Sequence, residues 1–376
     1  MATSNTGTKC YKCREEATMH ICTKCSKHYE ELKLLLLKMK DQEKLVEQIL
    51  NDQINNQSLI QNQNNSSQYI QTIIAKKRDF LIMIKRKWEQ YATTIAGGNQ
   101  LNTPDGIYVD DQEQTIYVAN CNNHSIVKWK FGERNGEVVA GGNEKGNRID
   151  QLNYPCSVIL DQNKKSLIIC DVGNRRVVRW SLENQNDRQI LIEDISCYGL
   201  MMNNKGDLFV SDYERNEVKR WKKDEKQGIV VAGGNGKGDK LNQLNYPGFI
   251  FVDREDSIYV SDRWNHRVMK WLKGAKEGII VAGGQGQGNS LKQLSYPHGL
   301  VVNEIGDVYV VDRWNHRIMC WPSGSKEGRV VVGGNGEEEG SNQLCNPRGL
   351  VIDRANNLYV TDTSNHRIQR FNVDTN

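Results

Sequence analysis

Tyr259-Val-Ser-Asp-Arg-Trp-Asn-His-Arg-Val-Met-Lys-Trp271 is followed 50 residues later by Tyr309-Val-Val-Asp-Arg-Trp-Asn-His-Arg-Ile-Met-Cys-Trp321. The two stretches differ at three of 13 positions. The same frame recurs with its acidic residue at Asp171, Asp212 and Asp362, and with Asn120 in the first copy. Spacings from Asn120 onward are 51, 41, 50, 50 and 50 residues, which makes six copies. Around each frame lie four short Val/Ile/Tyr-rich runs bounded by Gly, Asn, Asp or Pro; in the fourth copy these are Gly248–Val252, Ser257–Ser261, Arg267–Trp271 and Gly278–Ala282. Four strands per repeat at this period predict a propeller blade, and blades bury their faces only by stacking in a ring.

The ends of the chain predict how the ring closes. The sixth copy stops after its third strand, Arg367–Phe371. A fourth-strand motif stands orphaned before the first copy, as Thr93-Thr-Ile-Ala-Gly-Gly98. Pairing the two removes both open sheet edges. The fold class is therefore mainly β: a six-bladed propeller over 93–376, preceded by a helical segment over 29–92 and a Cys-rich segment over 1–28.

In a four-stranded meander, the loop entering the first strand and the turn leaving the second share a face. The Gly-rich loops Gly233–Pro247 and Gly283–Pro297 therefore lie with the Asp-x-x-Asn-His-Arg turns, which makes that face the binding candidate. Within each turn the Asp is expected to cap its own backbone, with Asn and His completing the network. Trp129, Trp180, Trp221, Trp271 and Trp321, with Phe371 in the sixth copy, are expected to pack between blades. Arg263-Trp264 and Arg313-Trp314 occupy turn positions filled elsewhere by Cys-Asn, Val-Gly, Tyr-Glu and Thr-Ser. Arg, Trp and Tyr are the types enriched at binding hot spots. The partner-binding candidates are thus Arg263, Trp264, Arg313, Trp314 and Tyr213, with Arg175, Arg176, His298 and Arg348 nearby. Alternatively each Trp only covers its own loop. The short connection Glu193–Gly199 lacks Gly-Gly and Pro, and is expected to leave a notch beside blade three.

These repeats resemble the NHL repeat. Asn265-His266-Arg267, Asn315-His316-Arg317 and Asn365-His366-Arg367 match its turn, and Asn123-His124-Ser125 is similar; Asn174-Arg175-Arg176 and Asn216-Glu217-Val218 depart from it. The resemblance spans about 280 residues, from 93 to 376. It implies the fold strongly and function weakly, because one fold hosts many activities.

In the first segment, Cys10-x2-Cys13-x8-Cys22-x2-Cys25 has the spacing of two zinc knuckles, with His20 and His28 in reserve. One zinc ion on Cys10, Cys13, Cys22 and Cys25 is the expectation; a free-thiol tail is the alternative. The segment resembles the start of a B-box finger, which precedes a coiled coil and an NHL propeller in tripartite-motif proteins. A B-box binds two zincs, and the later ligand pairs are missing here, so either the knuckles share one ion or the module is a remnant. The eight ligands of a RING finger, which ubiquitin-ligase activity of that family's kind would require, are also missing. Over 29–92, 12 of 18 a and d positions are apolar, including Leu32, Leu35, Val46, Ile49, Ile74, Leu81, Ile84 and Trp88, which predicts a coiled coil and a homodimer. Residues 51–68 hold 11 Asn or Gln of 18, so a helical hairpin is the alternative.

Residues 1–92 carry 15 Lys and Arg against 10 Asp and Glu, leaving 50−15 = 35 against 46−10 = 36 for the rest. A propeller near neutrality has no bulk attraction for nucleic-acid phosphates. The longest apolar run, Leu34–Leu37, is far too short to span a membrane. No apolar leader segment follows Met1, so Cys121, Cys156, Cys170, Cys197, Cys320 and Cys345 are expected to be reduced and the protein cytoplasmic.

The leading expectation is a non-enzymatic interaction scaffold that binds a protein or peptide on the propeller face and gains avidity by dimerising. The tripartite-motif resemblance implies the same. The alternative is RNA binding on that face, with Arg175, Arg176, Arg263 and Arg313 beside Trp264 and Trp314 for base stacking. A propeller lyase or hydrolase, or a ubiquitin-pathway adaptor, comes next. A channel metal site would draw on first-strand positions Asp105, Cys156, Gly248, His298 and Arg348, of which only Asp105 and His298 suit as ligands.

Overall fold

Tyr309, Val310 and Val311 alternate across the pleat, and both faces of their strand are buried. A strand buried on both faces lies inside a stack of sheets. The computed structural model describes residues 87–184, 186–223 and 225–374. It shows six four-stranded antiparallel sheets, each a simple meander. Blade five runs Pro297–Val302, Val308–Asp312, Arg317–Trp321 and Arg329–Gly333. Blade four runs Pro247–Val252, Ile258–Asp262, Arg267–Trp271 and Ile279–Gly283, within one residue of the expected bounds. Closure is as expected. Thr93–Ala96 pairs antiparallel with Arg367–Phe371, in the register Thr93↔Arg370 and Ala96↔Ile368.

The core lies between blades. One apolar cluster joins Phe209 and Val218 of blade three to Ile250, Ile258 and Trp271 of blade four. Trp129, Trp180, Trp271, Trp321 and Phe371 are buried as expected, while Trp221 is only half-buried.

Residues 87–92 run along blade six. Trp88, read from sequence as a coiled-coil position, is buried in the propeller against Tyr309, with ring centroids 5.3 Å apart. Its indole N–H donates to the Asn356 carbonyl at 2.9 Å. The coiled-coil positions up to Ile84, the zinc ligands Cys10, Cys13, Cys22 and Cys25, and the reserves His20 and His28 lie outside the described residues. Among the described residues, no helix is long and apolar enough to cross a membrane.

Two close approaches need glycine. At Gly283, φ is +67°, and a Cβ would stand 2.5 Å from the His266 carbonyl oxygen. At Gly299 a Cβ would meet the Arg348 carbonyl oxygen at 2.5 Å, because first strands crowd around the central channel.

The cysteine expectation needs correction. Cys170 and Cys197 form a disulfide, with Cα atoms 5.9 Å apart. Their separation of 27 residues carries no pairing signal, and the contact arises only because blades two and three stack. Cys121, Cys156, Cys320 and Cys345 are free, and the cytoplasmic expectation loses the support it drew from reduced thiols.

Candidate functional site at the channel mouth and its rim

The turn after the second strand is a short 3-10 segment in five blades and a plain turn in blade three, and in all six it ends in a residue with positive φ. His124, His266, His316 and His366 hold that left-handed position, as do Arg175 and Asn216. The expected roles are redistributed. In blade four, Asp262 Oδ1 does not cap its own turn; it accepts the Asn245 N–H of the incoming loop at 2.7 Å. Its Oδ2 accepts from Asn265 Nδ2 at 2.8 Å and Arg267 Nε at 2.7 Å. Arg267 also donates to the Asp239, Lys240 and Gln243 carbonyls, so the Arg pins the Gly-rich loop. Asp171, Asp312 and Asp362 repeat the pairing, with Arg176, Arg317 and Arg367. Asp212 alone among these five accepts from backbone N–H groups of its own turn, those of Glu214 and Arg215. The histidines work between blades. His266 Nδ1 accepts the Tyr296 N–H at 3.2 Å, and His366 Nδ1 accepts that of Thr103 at 3.0 Å.

Two of the binding candidates are engaged within the fold. Arg176 is buried and saturated by Asp171 Oδ2 and the Asn147, Arg148 and Gln151 carbonyls. Arg175 is engaged with Glu214 and with Asp194 at 3.0 Å, and Arg215 meets Asp194 at 2.7 Å, so this corner is an ion-pair network. Sequence could not show it, because the carboxylates come from a neighbouring blade.

The structure divides the two Arg-Trp pairs. The tryptophans face outward: Trp264 is 47% exposed and Trp314 46%. They belong to an arc of rings across blades three to five. Tyr213 stacks on Tyr246 at 5.8 Å, Tyr246 meets Trp264 at 5.3 Å, Trp264 meets Tyr296 at 5.6 Å, and Tyr296 meets Trp314 at 3.7 Å. Tyr246 and Tyr296 were missed from sequence, although each stands in a repeated Tyr-Pro at a first-strand entrance, and each has positive φ. Lys237 Nζ sits 5.5 Å from the Tyr246 ring centre and 5.9 Å from that of Trp264.

The arginines turn inward. Pairing of Pro104, Pro155, Cys197, Pro247 and Pro297 with the second-strand ends sets Asp105, Cys156, Tyr198, Gly248 and His298 at one level, and Arg348 follows Pro347 in blade six. Arg263 lies over the Tyr198 ring at 4.7 Å. Its Cδ stands 2.7 Å from where a Cβ on Gly248 would be, so the missing side chain in blade four makes room for it. Arg313 Nη1 approaches His298 Nε2 at 3.4 Å. Arg348 Nη1 pairs with Asp105 Oδ2 at 2.7 Å, and the Tyr198 hydroxyl donates to the same oxygen at 3.0 Å. Tyr198 escaped the sequence reading because its strand entrance lacks the Pro. Burial and the Arg263, Arg313 and Arg348 charges hold His298 neutral, well below its usual range. Burial also lowers Arg313, with Arg348 and Arg263 adding repulsion.

Asp105 is therefore occupied by Arg348 and Tyr198 rather than grouped with His298. Among the described residues, the one His/Cys/carboxylate group compact enough for a metal is on the rim: His316, Glu337 and Cys345, with donor atoms within 4.8 Å of one another. It shares no residue with the Cys10–Cys25 motif and is no evidence for zinc there.

The NHL repeat profile matches residues 101–129, 294–321 and 344–371, within blades one, five and six. No curated protein matches the chain. Solved structures share the architecture. An auxiliary nutrient binding protein from Bacteroides thetaiotaomicron has TM-score 0.60 at 16% identity, covering 77% of each chain. A gluconolactonase from Xanthomonas campestris has TM-score 0.55 at 12% identity, covering 76% of this chain and 88% of that one. A streptogramin B lyase has TM-score 0.53 at 10% identity, covering 76% and 98%. At these identities the likeness is one of fold alone. The chain carries NHL repeats, and they build a six-bladed β-propeller.

Proposed function

We propose that this protein is a non-enzymatic scaffold whose propeller face binds a protein or peptide. The arc Tyr213–Tyr246–Trp264–Tyr296–Trp314 carries the reading. Its two tryptophans occupy turn positions that other blades fill with small or polar residues, and both keep nearly half their surface in water. Rigid, half-exposed aromatic side chains supply contact area at low entropic cost. NHL propellers suit such a role. Dimerisation through 29–92 and one zinc ion on Cys10, Cys13, Cys22 and Cys25 complete the proposal from sequence.

Single-stranded RNA stacking on the same rings is the second reading, favoured by Lys237 above Tyr246 and Trp264. The test is capture from lysate by the full chain and by Trp264→Ala/Trp314→Ala, with and without RNase. Partners lost by the variant but resistant to RNase support protein binding. RNase-sensitive capture favours RNA. Equal capture by both proteins removes the arc from consideration.

A further inference from the structure

We propose that the mouth of the central channel binds an oxyanion, a carboxylate or a phosphate, between Arg263 and Arg313, with Arg348 and His298 in the same wall. This goes beyond docking on the aromatic arc, because the two arginines turn away from it. Three guanidinium groups converge here: Arg263 from blade four, Arg313 from blade five and Arg348 from blade six. Among the described residues one carboxylate, Asp105, faces them, and Arg348 already holds it at 2.7 Å. Among the described residues, neither Arg263 nor Arg313 pairs with any carboxylate, in contrast to Arg176, Arg267, Arg317 and Arg367 in the neighbouring turns.

Partly desolvated cations without counter-charge are costly, and a site retaining them fits an anion that arrives from outside. The unsatisfied atoms agree. Nδ1 of His298, a side chain with 0% exposure, is buried without an acceptor, and so is Nε of Arg263, Arg313 and Arg348, a state those arginines share with Arg179, Arg188, Arg220 and Arg370 elsewhere. His298 Nε2 faces the Arg313 donor at 3.4 Å and acts as the acceptor, which leaves the proton on Nδ1 as a free donor. Lowered Arg313 and His298 basicity, both with like-charge contributions, fits a mouth short of negative charge. Guanidinium forks match planar and tetrahedral oxyanions alike. Tyr198 and Phe249, 5.4 Å apart, add an apolar wall suited to a carbon body.

Calorimetry on the full chain in low-chloride buffer, with inorganic phosphate and with benzoate as probes, tests the assignment. Saturable binding is expected, weakened at least tenfold in Arg263→Gln/Arg313→Gln. Tighter phosphate binding marks the tetrahedral ion as the natural class, and tighter benzoate binding a carboxylate on an apolar body. The ligand-free double variant should melt at or above the wild-type temperature, because two repelling charges are gone. Gly248→Ala, which keeps both arginines but crowds the Arg263 stem, should also weaken binding and serves if the double variant fails to fold. The proposal falls if neither probe saturates below about 10 mM, or if the folded variants bind like wild type. Trp264→Ala/Trp314→Ala should bind both probes normally, which separates this site from the docking face.

Discussion

Arg267 Nε donates to Asp262 Oδ2 at 2.7 Å, and both side chains are buried. The pair ties the end of one strand to the start of the next and, through the remaining guanidinium nitrogens, to the preceding loop. Removing one partner strands a buried charge, which costs about 3–5 kcal/mol. Arg267→Met should lower the urea midpoint accordingly, and Arg267→Met/Asp262→Leu should cost less than the two single changes summed. Strict additivity would mean that the pair is not coupled.

Trp264 and Trp314 should behave oppositely. Each →Ala change leaves stability within about 0.5 kcal/mol, as exposed positions do. Each should weaken partner binding by about 2 kcal/mol or more if the arc is the hot spot. Paired melting curves and binding isotherms check both halves; a large stability loss would make the rings loop cover.

Trp88 extends the propeller upstream of the closing strand. Trp88→Ala should destabilise it by about 3–5 kcal/mol, the usual cost of deleting a buried aromatic. A chain beginning at Thr93 should melt lower than one beginning at Lys87. Equal melting temperatures would return 87–92 to the preceding segment.

His298 should give stability an acid limb. It is neutral in the fold, where burial and three guanidinium charges depress its pKa, while the unfolded chain protonates near ~6.5. Below that pH the unfolded state binds more protons, so stability falls as pH drops, down to the folded pKa. His298→Asn should shrink the difference in melting temperature between about pH 7.5 and about pH 5.5. An undiminished difference in the variant would place the acid limb elsewhere.

The Cys170–Cys197 bridge closes a loop of 27 residues. Reduction should cost about 3.5 kcal/mol by the loop-entropy argument. Peptide mapping without reductant should recover the linked pair, and Cys170→Ser/Cys197→Ser should melt like the reduced protein. Finding both thiols free would restore the reduced assignment.

The sequence by itself determined the blade count, the strand bounds and the closing strand, because each follows from a period repeated six times with one displaced fragment. It also marked Arg263-Trp264 and Arg313-Trp314, since a repeat exposes whatever its frame does not require. It could not say where those side chains point. Only the tertiary structure sent the arginines into the channel and left the tryptophans on the rim. That depends on the space at Gly248 and on rings contributed by neighbouring loops. The same holds for Arg175, Trp88, Tyr198 and the Cys170–Cys197 bridge. Their partners lie on other blades or at the far end of the chain, and stacking the blades, not spacing along the sequence, brings them together.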